Sequence, residues 1–125
     1  MKVAGGRSVA RERGRWAEGK ALGLLRGRGW RLVSRNWSCR WGEIDLVVTK
    51  PGRLLVVEVK GRGVGSRDGG GAGALGPLKR RRLARAWACW LADHPAHAET
   101  SVELVAALVP LPPSRKAVRW VRLGI

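Results

Sequence analysis

The sequence predicts an α/β fold in which a mixed central β-sheet is flanked by helices. Three observations lead to this prediction. Residues 41–60 have the pattern of two strands joined by a tight turn, residues 9–26 and the segment that starts at Pro77 have helical periodicity, and residues 102–109 form an apolar strand. Adding one strand before the hairpin gives the order α, β, β, β, α, β, and we expect an extra strand at residues 117–123.

The first helix is expected over residues 9–26, after a basic and disordered lead at residues 1–8. Its buried stripe, at helical spacing, is predicted to consist of Ala17, Ala21, Leu24 and Leu25. Glu18 lies beside this stripe and is expected at the edge of the core. An equally good interpretation is a surface glutamate that pairs with Arg15 or Arg11.

Residues 30–37 predict the first strand, and the hairpin follows. Residues 50–53 have turn chemistry, because proline presets φ and glycine allows positive φ. A loop of these four residues places Thr49 opposite Leu54. One face of the sheet is then expected to carry four charged side chains: Glu43, Asp45, Glu58 and Lys60. The other face of the first hairpin strand is expected to carry Ile44, Leu46 and Val48.

This register places Asp45 opposite Glu58 and Glu43 opposite Lys60. Two facing carboxylates in apolar strands repel one another, and a divalent cation removes that repulsion. A nearby lysine then orients a water or stabilises charge that develops on a phosphate. The alternative is a solvated sheet face with two cross-strand ion pairs. The spacing of Asp45 and the Glu58-Val59-Lys60 string favours the metal site.

The same residues resemble the PD-(D/E)xK nuclease signature, and the chain resembles the YraN family of bacterial endonuclease-like proteins over roughly residues 14–109. The strings that carry the resemblance are Glu18, Arg35-Asn36, Gly42-Glu43-Ile44-Asp45-Leu46 and Val57-Glu58-Val59-Lys60. The resemblance implies a restriction-endonuclease-like fold, similar to that of archaeal Holliday-junction resolvases, and a function in nucleic-acid handling.

Five residues are therefore candidates for the catalytic site. Asp45 and Glu58 are expected to bind Mg²⁺ or Mn²⁺, and Lys60 to position the attacking water or stabilise the transition state. Glu43 and Glu18 are expected to complete the metal shell or to orient its waters. For Glu18 the family resemblance favours this role.

The charge of the chain favours a polyanionic partner. Lys and Arg number 25 against 9 Asp and Glu, which gives a net charge of +16. Residues expected to hold phosphates are Arg35, Arg62, Lys79, Arg80, Arg81 and Arg82. We favour DNA, although phosphate contacts alone do not separate DNA from RNA. A ribosome-associated protein and an arginine-rich surface that reflects genome composition explain the same charge.

The glycine-rich residues 61–76 are expected to form a flexible loop, either a length-variable linker or a flap over a nucleic-acid backbone. Pro77 suits the first position of the second helix. The core stripe of that helix is predicted to be Leu83, Ala86, Trp87, Trp90 and Leu91. His94 and His97 lie in a loop, and we assign neither a catalytic role.

Cys39 and Cys89 lack metal-ligand spacing and are interpreted as reduced thiols of a cytoplasmic protein, for which association with the nucleoid is left open. No apolar run is long enough for a membrane span, so no membrane partner is expected. Resolvase-like relatives act as dimers, which leaves a homodimer open. The predicted function is a metal-dependent endonuclease acting on DNA, including branched or damaged DNA. The alternatives are a non-catalytic nucleic-acid-binding module and an RNA- or ribosome-associated accessory protein.

Overall fold

A computed structural model describes residues 6–63 and 76–124 of the chain. The elements are α1 (Gly6–Gly27), β1 (Arg31–Cys39), β2 (Gly42–Lys50), β3 (Arg53–Arg62), α2 (Pro77–Asp93), a 3₁₀ turn (Pro95–His97), β4 (Ser101–Pro110) and β5 (Arg119–Arg122). The predicted order and fold class are confirmed, and β5 is the expected extra strand. Helix α1 begins at Gly6 rather than at residue 9, so residues 6–8 of the predicted lead are helical. The rest of that lead and residues 64–75 of the predicted flexible loop lie outside the described residues.

The five strands form one mixed sheet in the order β1-β2-β3-β4-β5. Neighbouring strands are antiparallel, except that β3 and β4 are parallel. A parallel pair needs a crossover, and α2 provides it between β3 and β4. Because α1 packs on one face of the sheet and α2 on the other, the protein has two apolar cores.

The buried face of α1 is rotated relative to the prediction. Ala17, Ala21 and Leu25 are buried as expected, but Leu24 is 40% exposed and Leu22 takes its place in the core. At 3.6 residues per turn, Glu18 then falls between Leu25 and Leu22 on the helix surface. Glu18 therefore lies within the face that packs on the sheet, and its side chain is only 12% exposed.

Helix α2 begins at Pro77 and buries Leu83, Ala86, Trp87 and Trp90, as the sequence predicts. The indole N–H of Trp90 donates a hydrogen bond to Ser34 Oγ on β1 at 3.0 Å. The ring of His94 stacks on Trp90 with 3.9 Å between centroids, which is a packing role. None of the described helices is long and apolar enough to cross a membrane.

Candidate metal centre

The predicted register of the β2–β3 hairpin is confirmed, because Thr49 pairs with Leu54. The Cα pairs run from Lys50–Arg53 to Leu46–Val57 and end there. Strand β3 continues to pair with β4 as far as Arg62, and β2 continues to pair with β1 as far as Gly42. The sheet therefore splits between β2 and β3 just beyond Leu46, at the level of Asp45 and Glu58.

The regular alternation of β2 changes at Asp45. Ile44 lies in the core on the α2 side, whereas Leu46 and Val48 lie in the core on the α1 side. The prediction that these three residues share one face is therefore wrong. On β1, Asn36 lies at the level of Asp45 and has a positive φ of 52°. A residue with left-handed backbone geometry interrupts the regular alternation of side chains between the two faces of a strand. Its position at this level explains why the alternation is interrupted in both β1 and β2.

Asp45 points into the split rather than along a regular ladder. Its Oδ2 accepts a hydrogen bond from the backbone N–H of Val59 at 2.8 Å, so a side chain takes the place of a backbone acceptor. The carboxyl group of Asp45 also lies close enough to that of Glu58 for their charges to interact. Both residues are buried, at 8% and 9% exposure. The structure thus brings together the pair that the hairpin register predicts, in a different geometry.

A second set of carboxylates meets Asp45 from the α1 side. Oxygen atoms of Glu18, Glu43 and Asp45 all lie within 4.8 Å of one another. Glu18 Oε1 is buried and accepts no hydrogen bond within the described part of the chain. Its nearest cation is Arg35, with Nε at 3.6 Å. Arg35, predicted to hold phosphate, is therefore directed at this carboxylate cluster.

Burial and mutual repulsion raise the pKa values of three carboxyl groups. The pKa of Asp45 rises from 3.8 to about 7, first because of burial and then because of the charge on Glu58, while the Val59 hydrogen bond opposes the rise. Burial raises the pKa of Glu58, against the hydrogen bond from Asp45 and the charges of Lys79 and Lys60. Burial and the proximity of Asp45 raise the pKa of Glu43. Asp45 and Glu58, which are buried, gain more from a cation than an exposed carboxylate does.

Lys60 lies beside Glu58 and meets Lys79 of α2. Burial lowers the pKa of Lys60, and contact with Lys79 lowers it further, while the charges of Glu58 and Asp45 oppose the shift. Lys79, predicted as a phosphate contact, therefore acts on the acidic residues and on Lys60. A lysine with a lowered pKa gives up a proton more readily than an ordinary lysine does.

The remaining predicted phosphate contacts lie around this centre. Lys79 and Arg82 line a cavity with Glu43 and Glu58, and Arg81 and Arg82 line a groove next to it. Arg80 is exposed on α2. Arg62 is half-buried at the end of β3.

Sequence reasoning missed two arginines that belong to the same surface. The guanidinium groups of Arg40 and Arg85 each lie 4.6 Å from the centre of the Trp41 ring. Both residues line the groove beside the carboxylates. A signal existed for each, because Arg40 precedes Trp41 in the sequence and Arg85 follows Arg81 by one helical turn.

The mixed five-stranded sheet, the helix on each face and the carboxylates at its split define the class of this protein: an α/β protein with a restriction-endonuclease-like fold. The chain belongs to the uncharacterised protein family UPF0102, the YraN family, whose sequence profile matches residues 17–108. The resemblance seen in the sequence is therefore confirmed.

The relatives extend over most of the chain. It is 57% identical over 111 residues to a UPF0102 protein of Prochlorococcus marinus (strain MIT 9303), covering 89% of this chain and 88% of that protein. It is 50% identical over 110 residues to one of Parasynechococcus marenigrum (strain WH8102), covering 88% and 80%. It is 52% identical over 79 residues to one of Bordetella avium (strain 197N), covering 63% and 54%.

Proposed function

We propose that this protein is a divalent-metal-dependent endonuclease that acts on DNA. The observation that carries the proposal is the convergence of carboxylate oxygens from Glu18, Glu43 and Asp45 within 4.8 Å, at the split of the sheet. Glu58 and Lys60 adjoin them on the next strand, and Lys79 and Arg82 of α2 line the same cavity as Glu43 and Glu58. Acidic groups beside a phosphate-binding surface are the arrangement that metal-assisted phosphodiester hydrolysis needs.

The residues present fit Mg²⁺ or Mn²⁺. Oxygen donors are what these hard cations prefer, and Asp45 with Glu58, supported by Glu18 and Glu43, would hold the ion. The buried Glu18 Oε1 accepts no hydrogen bond from any described residue, and apart from the 3.6 Å ion pair with Arg35 Nε its lone pairs are directed at this place. When bound, the cation neutralises phosphodiester charge and lowers the pKa of a coordinated water.

Lys60 is the residue that would handle the proton. Its amine lies beside Glu58, and its lowered pKa suits it to accept a proton from a water or to donate one to a leaving oxygen. Burial lowers the pKa of Lys60 most, and contact with Lys79 and its charge lower it further. Arg35 would orient Glu18, because the two groups lie 3.6 Å apart.

DNA, including branched or damaged DNA, is the proposed substrate. The net charge of +16 supports a polyanionic partner, and Arg81, Arg82 and Arg85 supply guanidinium groups beside the carboxylates. A cytoplasmic location and a homodimer fit such a role and are part of the proposal.

The test is a cleavage panel of linear duplex, flapped, four-way and single-stranded DNA, with a matched RNA, in Mg²⁺, Mn²⁺ and EDTA. We expect cleavage of at least one DNA in the presence of metal, and none with Asp45→Asn or Glu58→Gln. Lys60→Ala should impair cleavage more than it impairs metal binding. DNA binding without cleavage and without metal affinity would favour the non-catalytic module, and a preference for RNA would favour the ribosome-associated alternative.

A further inference from the structure

A cavity of about 500 Å³ opens directly beside the carboxylates, between the end of β2 and the first turns of α2. Glu43 and Glu58 lie in its wall, together with Lys79 and Arg82. Its volume is in the range of small-molecule sites, roughly 300–1,000 Å³. The cavity is thus large enough to take a chemical group that is attached to the reacting phosphate.

The remaining wall of this cavity is apolar. It is formed by Trp41, Leu78, Leu83 and Ala86. Neither a phosphate nor a hydrated cation gains from contact with such side chains, since both lose hydration there. A flat group with apolar faces and a polar edge fits both parts of the wall, because Glu43, Glu58 and Lys79 offer hydrogen-bond partners to its edge.

We propose that this cavity binds one nucleobase that has left the base stack, next to the phosphate held at the carboxylates. The inference rests on the proposed function and specifies its substrate as a nucleic acid with an unpaired nucleotide. A base is joined through its sugar to the phosphate, so a base is the group that reaches a cavity adjoining Glu58. The faces of the base contact Leu78 and Leu83, while Arg82 faces the backbone.

This occupancy has a consequence for substrate choice. A base in perfect duplex DNA is stacked and paired, and extracting it costs a few kcal/mol, least for a base that is already unpaired. Bulged, flapped and branched DNA present such bases without that cost. The cavity therefore selects irregular DNA over perfect duplex.

The test measures binding in EDTA, where cleavage does not occur, by anisotropy of three labelled DNAs. They are a perfect duplex, the same duplex with a one-nucleotide bulge, and that bulge carrying an abasic site. Stacking of one base on an aromatic ring contributes about 1–3 kcal/mol, and contact with leucine side chains is expected at the lower end of that range, so the bulge with a base should bind roughly 5-fold more tightly than the abasic bulge. Equal affinity for these two bulged DNAs would overturn the proposal.

Leu78→Ala provides the structural arm of the test. Leu78 is 60% exposed, so its truncation should leave the fold intact. We expect this variant to reduce the base-to-abasic ratio several-fold with little change for the abasic DNA. The matched control is Leu24→Ala, at a leucine of α1 that is 40% exposed and does not line the cavity. A ratio unchanged in Leu78→Ala, or lowered equally by Leu24→Ala, contradicts the proposal.

The two proposals fail in different ways. Absence of cleavage on every DNA in the metal panel rejects the nuclease but leaves the base-to-abasic ratio in EDTA unaffected. If DNA is cleaved but the bulge with a base and the abasic bulge bind equally well, the nuclease proposal stands and the base-binding cavity is rejected.

Discussion

The two ends of the β2–β3 hairpin are built from the same two strands and have opposite properties. At the turn end, residues 46–50 pair with residues 53–57 in regular register, and Val47, Val56 and their apolar neighbours are fully buried. At the other end the pairing stops, and Asp45 and Glu58 are buried carboxyl groups in the split. The turn end is a hydrogen-bonded ladder of apolar residues, and the other end is a split in the sheet that contains carboxyl groups.

The ladder end of the hairpin contributes favourably to the free energy of folding, and the split end contributes unfavourably. The ladder end satisfies backbone groups and buries apolar area on both faces, which is the main source of folding free energy. The split end holds like charges together in a partly desolvated place, which opposes folding. We expect a bound cation to reverse the sign of that second contribution.

The largest effect on stability is expected when a carboxyl group is introduced at the ladder end. Val47 is 0% exposed in the core under α2, so Val47→Asp places a carboxyl group among apolar side chains. We expect a loss of about 3–5 kcal/mol of unfolding free energy, as for an unpaired buried charge. Urea unfolding measures this loss, with Ala117→Asp at an exposed position as the control. If Val47→Asp were as stable as the control, the two ends would not differ as described.

The pH dependence of stability sharpens the comparison. In EDTA, the pKa of Asp45 is about 7 in the folded protein against a usual 3.8. The folded state then holds a proton that the unfolded chain releases, so this contribution is complete below about pH 4 and is lost as pH rises through about 7. Relative to Asp45→Asn, the wild type should lose on the order of 2–4 kcal/mol between pH 4 and 8. Parallel stability profiles of the two proteins would contradict the assignment.

Metal should remove the penalty at the split end. At neutral pH, a divalent cation at one hundred times its Kd should stabilise the folded wild type by about 2.7 kcal/mol, because the unfolded chain lacks the site. Melting curves in Mn²⁺ and EDTA measure this shift, and Asp45→Asn should abolish it. The ion-pair alternative predicts superimposable wild-type curves, with Asp45→Asn costing roughly 0–1 kcal/mol.

Cations at the two ends should differ in their contribution to DNA binding. Changing Arg80, Arg81 and Arg82 to Ala should flatten the salt dependence of duplex binding by up to about 0.9 per lost phosphate contact. Lys50 and Arg53 at the turn end lie over the Trp30 ring, at 4.8 and 5.0 Å, and serve as the control. Their replacement by Ala should change the slope less. Equal slopes for both variants would remove α2 from the contact surface.

The smallest effect is expected at an acid that is already neutralised. Glu103 of β4 lies 3.2 Å from Arg53 and 3.2 Å from Arg122, and all three side chains are solvent-accessible. Glu103→Gln should cost about 0–1 kcal/mol, as for an exposed ion pair, and should leave the Mn²⁺ shift of the melting temperature unchanged. Loss of that shift would show that the metal acts elsewhere than at the split.

The parts of the site that depend on residues close together in the sequence could be predicted. Turn residues 50–53 set the hairpin register, and with it the approach of Asp45 to Glu58. Helical spacing identified the buried face of α2 and placed its arginines on the outside. Neither the turn residues nor the helical spacing predicts that the side-chain alternation of β2 is interrupted at Asp45. That interruption depends on Asn36, which lies on a different strand at the same level.

The sequence by itself therefore determined the order of elements, the hairpin, the basic character and the membership in its family. Only the tertiary structure decided that the sheet splits at Asp45, that Glu18 turns inward and that Arg40 and Arg85 each lie against the Trp41 ring. The physical reason is the distance along the chain over which each interaction acts. Turn geometry and helical periodicity act over a few residues, whereas burial of Glu18 and the charge on Asp45 depend on groups from elements distant in the chain.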